Sequence, residues 1–133
     1  MLYVPYGSIL IALVLIHIPR YIVGAEMKKL PGGYDNSDPR GQQAKLEGRG
    51  KRALAAHQNG FEAFAPFAIG VLCALQVGVD LHSVAIACIG FVIARSAYVA
   101  AYIADTSVLR SGMWTLGMLA TGGLYVLALL KLH

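Results

Sequence analysis

The sequence predicts an all-α integral membrane protein, an up-down bundle of four transmembrane helices, and three observations carry that reading. Of 133 residues, 57% are hydrophobic and only 14% charged, where ordinary soluble domains carry roughly 25% charge. With a mean hydropathy of +0.62, the chain has too little charge to cover a water-facing surface, so its solvent must be largely lipid. Four apolar stretches, about 2–25, 53–79, 81–104 and 112–131, each approach the roughly 20 residues a helix needs to cross the hydrocarbon core. The remaining polar residues gather in one long connection, 26–51, which leaves a single four-helix domain.

The first stretch is interrupted by His17 and Arg20. It lacks a basic leader, and Arg20 follows the apolar run instead of preceding it, so it reads as a retained helix and not as a secretory signal. The connection after it contains PGGYDNSDPRGQQAKLEGRGK. Pro31-Gly32-Gly33 and Asp38-Pro39 are turn signals, and Gln42 to Glu47 can add a helical turn. A loop of this length in so small a protein favours an ordered lid or cap over a random linker.

The second stretch has Glu62 as its only charge and the third has Arg95; the fourth has none before Lys131. Their short connections make neighbouring helices antiparallel. Between Arg20 and Arg52 there are eight basic residues against four acidic ones, whereas the connection from Gln76 to His82 has Asp80 and no Lys or Arg. The positive-inside rule therefore places the long loop, and with it Asp105 to Arg110, in the cytoplasm. Trp114, Tyr3 and Tyr6 read as interfacial belt residues.

Several chemistries are not expected. Cys73 and Cys88 lie inside membrane segments, where cysteine behaves as a small hydrophobe, and their spacing suggests neither a disulfide framework nor a zinc site. His17, His57, His82 and His133 have no ligand spacing among themselves, so no metal is expected, and no nucleic-acid partner. His57 falls off the axis of the polar stripe described next, as a rim residue. Gly122-Gly123 permits close helix approach.

The second helix places Arg52, Ala55, Asn59, Glu62 and Pro66 at offsets 0, 3, 7, 10 and 14, on one side of a helix. The third repeats the device with Arg95, Tyr98 and Tyr102 at 0, 3 and 7. A charge at membrane depth costs several kcal/mol unless it is paired or faces a wet cavity, so Glu62 and Arg95 are expected to point away from lipid. One reading makes them a buried pair that fixes helix register, with Asn59 and the tyrosines as interhelical hydrogen-bond glue. The other notes that Arg52, Asn59, Arg95, Tyr98, Tyr102 and Arg110 offer more donors than one glutamate can satisfy. That surplus suits an anionic ligand whose carboxylates take bidentate arginine contacts. Arg110 and Ser111, just before the fourth stretch, would join the helix N-terminus in facing a negative atom such as a thiolate; alone, Arg110 also fits a snorkelling anchor.

AAHQNGFEAFAPF, with Asn59, Glu62 and Pro66, and ARSAYVAAYIADTSVLRSGMW, residues 94 to 114, resemble two signature segments of the membrane-associated proteins in eicosanoid and glutathione metabolism, the MAPEG family. YDNSDPR, residues 34 to 40, looks like its bacterial branch, and the chain is similar to the microsomal glutathione transferases. The resemblance implies a homotrimer in the bacterial inner membrane, with glutathione as co-substrate at subunit interfaces near the cytoplasmic face. It implies that Asn59 and Glu62 hold glutathione's polar ends, Glu62 its α-amino group. Arg95, Tyr98 and Tyr102 would line the same pocket, Arg52 would meet a carboxylate, and Arg110 and Ser111 would stabilise the thiolate.

The expected activity is therefore a glutathione-dependent transferase or peroxidase acting on small lipophilic electrophiles that enter from the bilayer. The chain also departs from the family pattern: Ala55 stands where catalytic members commonly carry arginine, and Gln58 where some carry a basic residue. The alternative is accordingly a non-catalytic scaffold or accessory subunit with weakened glutathione binding. A channel or transporter has less support, since no broken pair of half-helices is visible.

Overall fold

A computed structural model describes residues 2–133. Among them, four long helices and one short one account for the architecture, with no strand: α1 Tyr3–Met27, α2 Pro39–Ala44, α3 Gly48–Gln76, α4 Leu81–Ile103 and α5 Ser107–Lys131. Three of these, α1, α4 and α5, are long and apolar enough to cross a membrane. Helix α3 is longer still but falls outside that set, because Arg49, Lys51, Arg52, Asn59 and Glu62 dilute its first half.

The polar connection is shorter than its composition suggests. Helix α1 runs on to Met27 and α3 begins at Gly48 instead of Ala53, its glycine-containing first turn packed so closely that a Cβ on Gly50 would meet Glu26 Cβ at 3.0 Å. Between them, Asp38 caps α2 by accepting from the Gly41 amide at 2.9 Å, with Pro39 at the first helical position, where its missing N–H is no loss. Gln42 ties the turn down: its Nε2 donates to the Gly33 carbonyl at 2.6 Å and its Oε1 accepts from the Asp35 amide at 3.1 Å. Leu46 then buries against Val23, Met27 and Ala53. The segment is an ordered lid with its own small core. Asp35 accepts from the Ser37 hydroxyl and the Ser37 amide, which hold its carboxyl below the usual range.

Neighbouring helices run antiparallel. Ile16 of α1 lies at Gly60 of α3, where a Cβ would come within 3.3 Å of the Ile16 Cα, so glycine lets these two backbones touch. Gly70 of α3 instead makes room for a side chain of α5, its own side-chain space being filled by the Tyr125 ring at 3.0 Å. By contrast Gly122 and Gly123 have open space within the chain. The main core joins Ala12, Phe67, Val71, Val84, Cys88, Phe91 and Leu124, with the Phe67 and Phe91 rings stacked at 3.7 Å. Outside this core the helices expose Leu10, Ile11, Val14, Ile86, Ile93, Leu119, Leu129 and Leu130, an apolar exterior that suits lipid and not water.

Prolines inside α1 and α3 each remove one backbone donor. Near Pro19, the Ile16 carbonyl takes His57 Nδ1 at 2.7 Å; a carbonyl can only accept, so that nitrogen carries the proton. Near Pro66, the Pro66 carbonyl takes the Tyr125 hydroxyl at 2.9 Å.

Two turns of matching geometry link α3 to α4 and α4 to α5. In the first, Gly78 N–H reaches the Leu75 carbonyl and Val79 N–H the Ala74 carbonyl; in the second, Asp105 reaches Tyr102 and Thr106 reaches Ala101. Both are Schellman closures, and both need a left-handed residue: Gly78 has φ 75° and Asp105 has φ 62°. Asp80 then caps α4 by accepting from the Ser83 amide at 3.0 Å, which holds its carboxyl below the usual range.

Candidate functional site

Arg95 is the centre of the site. Its guanidinium is carried by α4 into the contact between α3 and α5, only 5% exposed. Room for its stem comes from Gly117 of α5, where a Cβ would meet Arg95 Cδ at 3.4 Å. Nη2 donates to the Asn59 carbonyl at 3.5 Å, and the guanidinium carbon sits 4.1 Å from the centre of the Tyr98 ring, a cation–π contact.

From there a continuous ladder runs along the helix faces. Tyr98 meets Tyr102 edge-to-face at 5.5 Å, and Arg110 of α5 lies 4.7 Å from the Tyr102 ring. In the other direction, Asn59 Nδ2 donates to Glu62 Oε2 at 2.8 Å. The 3.6-residue period explains the placement: Asn59 and Glu62 are one turn apart on α3, and Arg95, Tyr98 and Tyr102 descend α4 in the same way.

The Glu62–Arg95 ion pair of the register-fixing reading is not formed. Among the described residues the ion pairs are Lys29–Glu26 and Arg52–Asp105, and Glu62 is exposed on the outer side of α3. Asn59 stands between the two charges, giving its side-chain amide to Glu62 and its backbone carbonyl to Arg95. Its side-chain oxygen, Oδ1, is buried with no hydrogen-bond partner. A buried unpaired acceptor costs on the order of 1–3 kcal/mol, and leaving a buried cation short of acceptors costs more.

Arg52 lies at the end of this ladder, two turns before Asn59, with its side chain committed to the end of α4. Nε donates to the Ile103 carbonyl at 3.4 Å and Nη1 approaches Asp105 Oδ2 at 3.5 Å. Arg110 and Ser111 sit inside α5 and not ahead of it, since the helix starts at Ser107 and the Arg110 amide already bonds the Thr106 carbonyl at 3.0 Å. The amides free to face an anion belong to Ser107, Val108 and Leu109. Ser111 is exposed, and its carbonyl accepts from Thr115 Oγ1 at 3.0 Å.

Two participants escaped the sequence reading. Gly117 gave no signal, because a small residue in an apolar helix is ordinary. Asp105 did give one: it is the only acidic residue in the α4–α5 connection, on the same side as the basic loop. A further recess of about 150 Å³ lies between the lid, α1 and α3, lined by Arg20, Tyr34, Arg40, Gln43, His57 and Gln58. His57 thus borders a basic cavity as well as bonding α1.

Among the described residues, no group of three or more His, Cys, Asp or Glu is arranged to hold a metal ion. The ladder offers guanidinium, phenol and amide donors with one outward carboxylate, a set suited to a polar anion that also carries an amine. Among curated proteins and among solved structures, no match to the chain was found. The model of the MAPEG family matches residues 4–130, nearly the whole chain, and with its apolar helices this places the protein as a helical membrane protein belonging to the MAPEG family.

Proposed function

We propose that the protein is a glutathione-dependent membrane transferase or peroxidase that conjugates or reduces small lipophilic electrophiles. The observation that carries this reading is the state of Arg95 and Asn59. A guanidinium buried in a helix long and apolar enough to cross a membrane has no carboxylate partner among the described residues, and beside it a buried amide oxygen lacks a donor. Structural glue would leave neither, because both are costly. A tripeptide supplies what is missing: carboxylates for guanidinium groups, N–H donors for Asn59 Oδ1 and an amine for Glu62.

In this reading Arg95, Tyr98 and Tyr102 orient the tripeptide and Arg52 meets one of its carboxylates. Arg110 holds negative charge on the sulfur, since a neighbouring cation lowers a thiol's pKa from its usual value near 8.5; Ser111 would lend a hydroxyl after a rotamer change. Delivery of a fixed thiolate to a lipid-dissolved electrophile is catalysis by proximity and by nucleophile activation.

The reading includes α3 as a fourth span. Its second half, from Phe61 onward, is apolar apart from Glu62 and Gln76. It also includes a homotrimer in the bacterial inner membrane with the basic lid cytoplasmic, an arrangement that would cover the outward Glu62. Protein purified in detergent is expected to conjugate a reactive aryl halide at a rate that saturates with glutathione. Absence of glutathione-dependent product at any protein concentration rejects the proposal.

A further inference from the structure

We propose that Asp105 is a built-in competitor at the mouth of the ladder: it holds Arg52 until an anionic ligand carboxylate takes its place. The inference rests on the proposed glutathione site and concerns how that site is gated. Arg52 shares the polar side of α3 with Asn59 and Glu62, yet both its contacts are at the end of α4, to the Ile103 carbonyl and to Asp105. Ile103 directly follows Tyr102, so the latch closes against the end of the ladder.

The comparison of the two Schellman turns shows why the residue at 105 stands out. The geometry needs only a left-handed residue, and Gly78 supplies it in the α3–α4 turn without steric cost. Aspartate at φ 62° fills the same place at a cost glycine avoids. What aspartate adds is a carboxylate within reach of Arg52.

The contact is also weak enough to be exchanged. Its N–O distance is 3.5 Å and its side chains are 29% and 67% exposed, and exposed pairs of this kind contribute little. A ligand carboxylate held at the same time by Arg95 or Arg110 competes for Arg52 on better terms. Removing the Asp105 charge should then tighten the ligand, because the competing closed state no longer reduces the binding-competent fraction.

Calorimetric titration of glutathione into full-length protein in detergent tests this. Asp105→Asn removes the charge while keeping a residue that tolerates the left-handed turn, and Asp105→Gly is a second uncharged variant for that position. Both are expected to bind roughly two- to fivefold more tightly than wild type, with a gain that shrinks as salt rises. Arg52→Gln should bind more weakly than wild type, and adding Asp105→Asn to it should bring no gain. Unchanged or weakened binding in both Asp105 variants, or a gain that persists without Arg52, overturns the latch while leaving the glutathione site standing. No saturable binding in any of the proteins overturns the site and the latch together.

Discussion

Helices α3 and α4 meet twice, and the two meetings are chemically opposite. Around Phe67 and Phe91 the contact is dry and complete: both rings are buried, stacked at 3.7 Å, and enclosed by Val71, Val84, Cys88 and Leu124. Around Asn59 and Arg95, a turn or two along the same helices, the contact is buried but incomplete. Its one direct hydrogen bond between helices is 3.5 Å long, and Asn59 Oδ1 has no partner. In lipid, where apolar burial drives little association, helices hold together through close packing and satisfied polar groups. The first contact therefore holds the assembly, and the second gives up stability that a complete contact would supply.

The largest effect expected from breaking the packed contact is on folding. Phe67→Ala removes a fully buried ring and should cost about 3 kcal/mol or more, seen as a lower thermal midpoint in detergent. The loss should appear equally with and without glutathione, since no ladder residue is touched. Survival of the midpoint would show that the core is not where the fold is held.

Next in size are changes in the ladder, with the opposite signature. Arg95→Met keeps the stem beside Gly117 but removes the charge. It should abolish saturable glutathione binding, a loss of tenfold or more, while leaving thermal stability unchanged or higher, because an unpaired buried cation is removed. Arg110→Ala should cut turnover by about tenfold or more while changing glutathione affinity less, because it removes charge stabilisation at the sulfur and not the carboxylate contacts. With the cation gone the thiol's pKa rises, so the rate should reach its plateau at higher pH than in wild type.

The smallest effect concerns two exposed carboxylates, one in the lid turn and one capping α4. Asp35 and Asp80 have carboxyls held below the usual range by Ser37 and Ser83. A depressed carboxyl stabilises the fold above its unfolded-state pKa, near 3.9, and that contribution fades as pH falls through the lower folded value. Stability should therefore decline modestly on acidification below about pH 4. Asp35→Asn and Asp80→Asn, compared by thermal unfolding at neutral and acid pH, should each flatten the decline.

The same contrast sorts what the sequence made legible. Apolar runs and turn residues revealed every long helix, and the 3.6-residue period put Arg52, Asn59 and Glu62 on one side of α3 and Arg95, Tyr98 and Tyr102 on one side of α4. Periodicity fixes a face but not a height, so it joined Glu62 to Arg95 directly, where the fold inserts Asn59 between them. Helix starts also moved: α3 and α5 begin before their apolar runs, at Gly48 and Ser107, and the first turn of α3 is set by the close approach of Gly50 to Glu26 and Leu46, a tertiary contact that hydrophobicity does not report. Gly117 and the hold of Arg52 on the end of α4 depend on how helices far apart in sequence cross. No local pattern encodes that.

The proposed function requires the Asn59–Arg95 contact to be a ligand site and not interhelical glue. Thermal unfolding of wild type and Arg95→Met, each with and without saturating glutathione, tests it most directly, because a ligand that binds the folded state raises its midpoint. For a ligand site, glutathione is expected to raise the wild-type midpoint and leave Arg95→Met unmoved, while Arg95→Met without ligand unfolds no earlier than wild type. An Arg95→Met protein that unfolds well before wild type, with neither protein moved by glutathione, would make the contact glue and contradict the account.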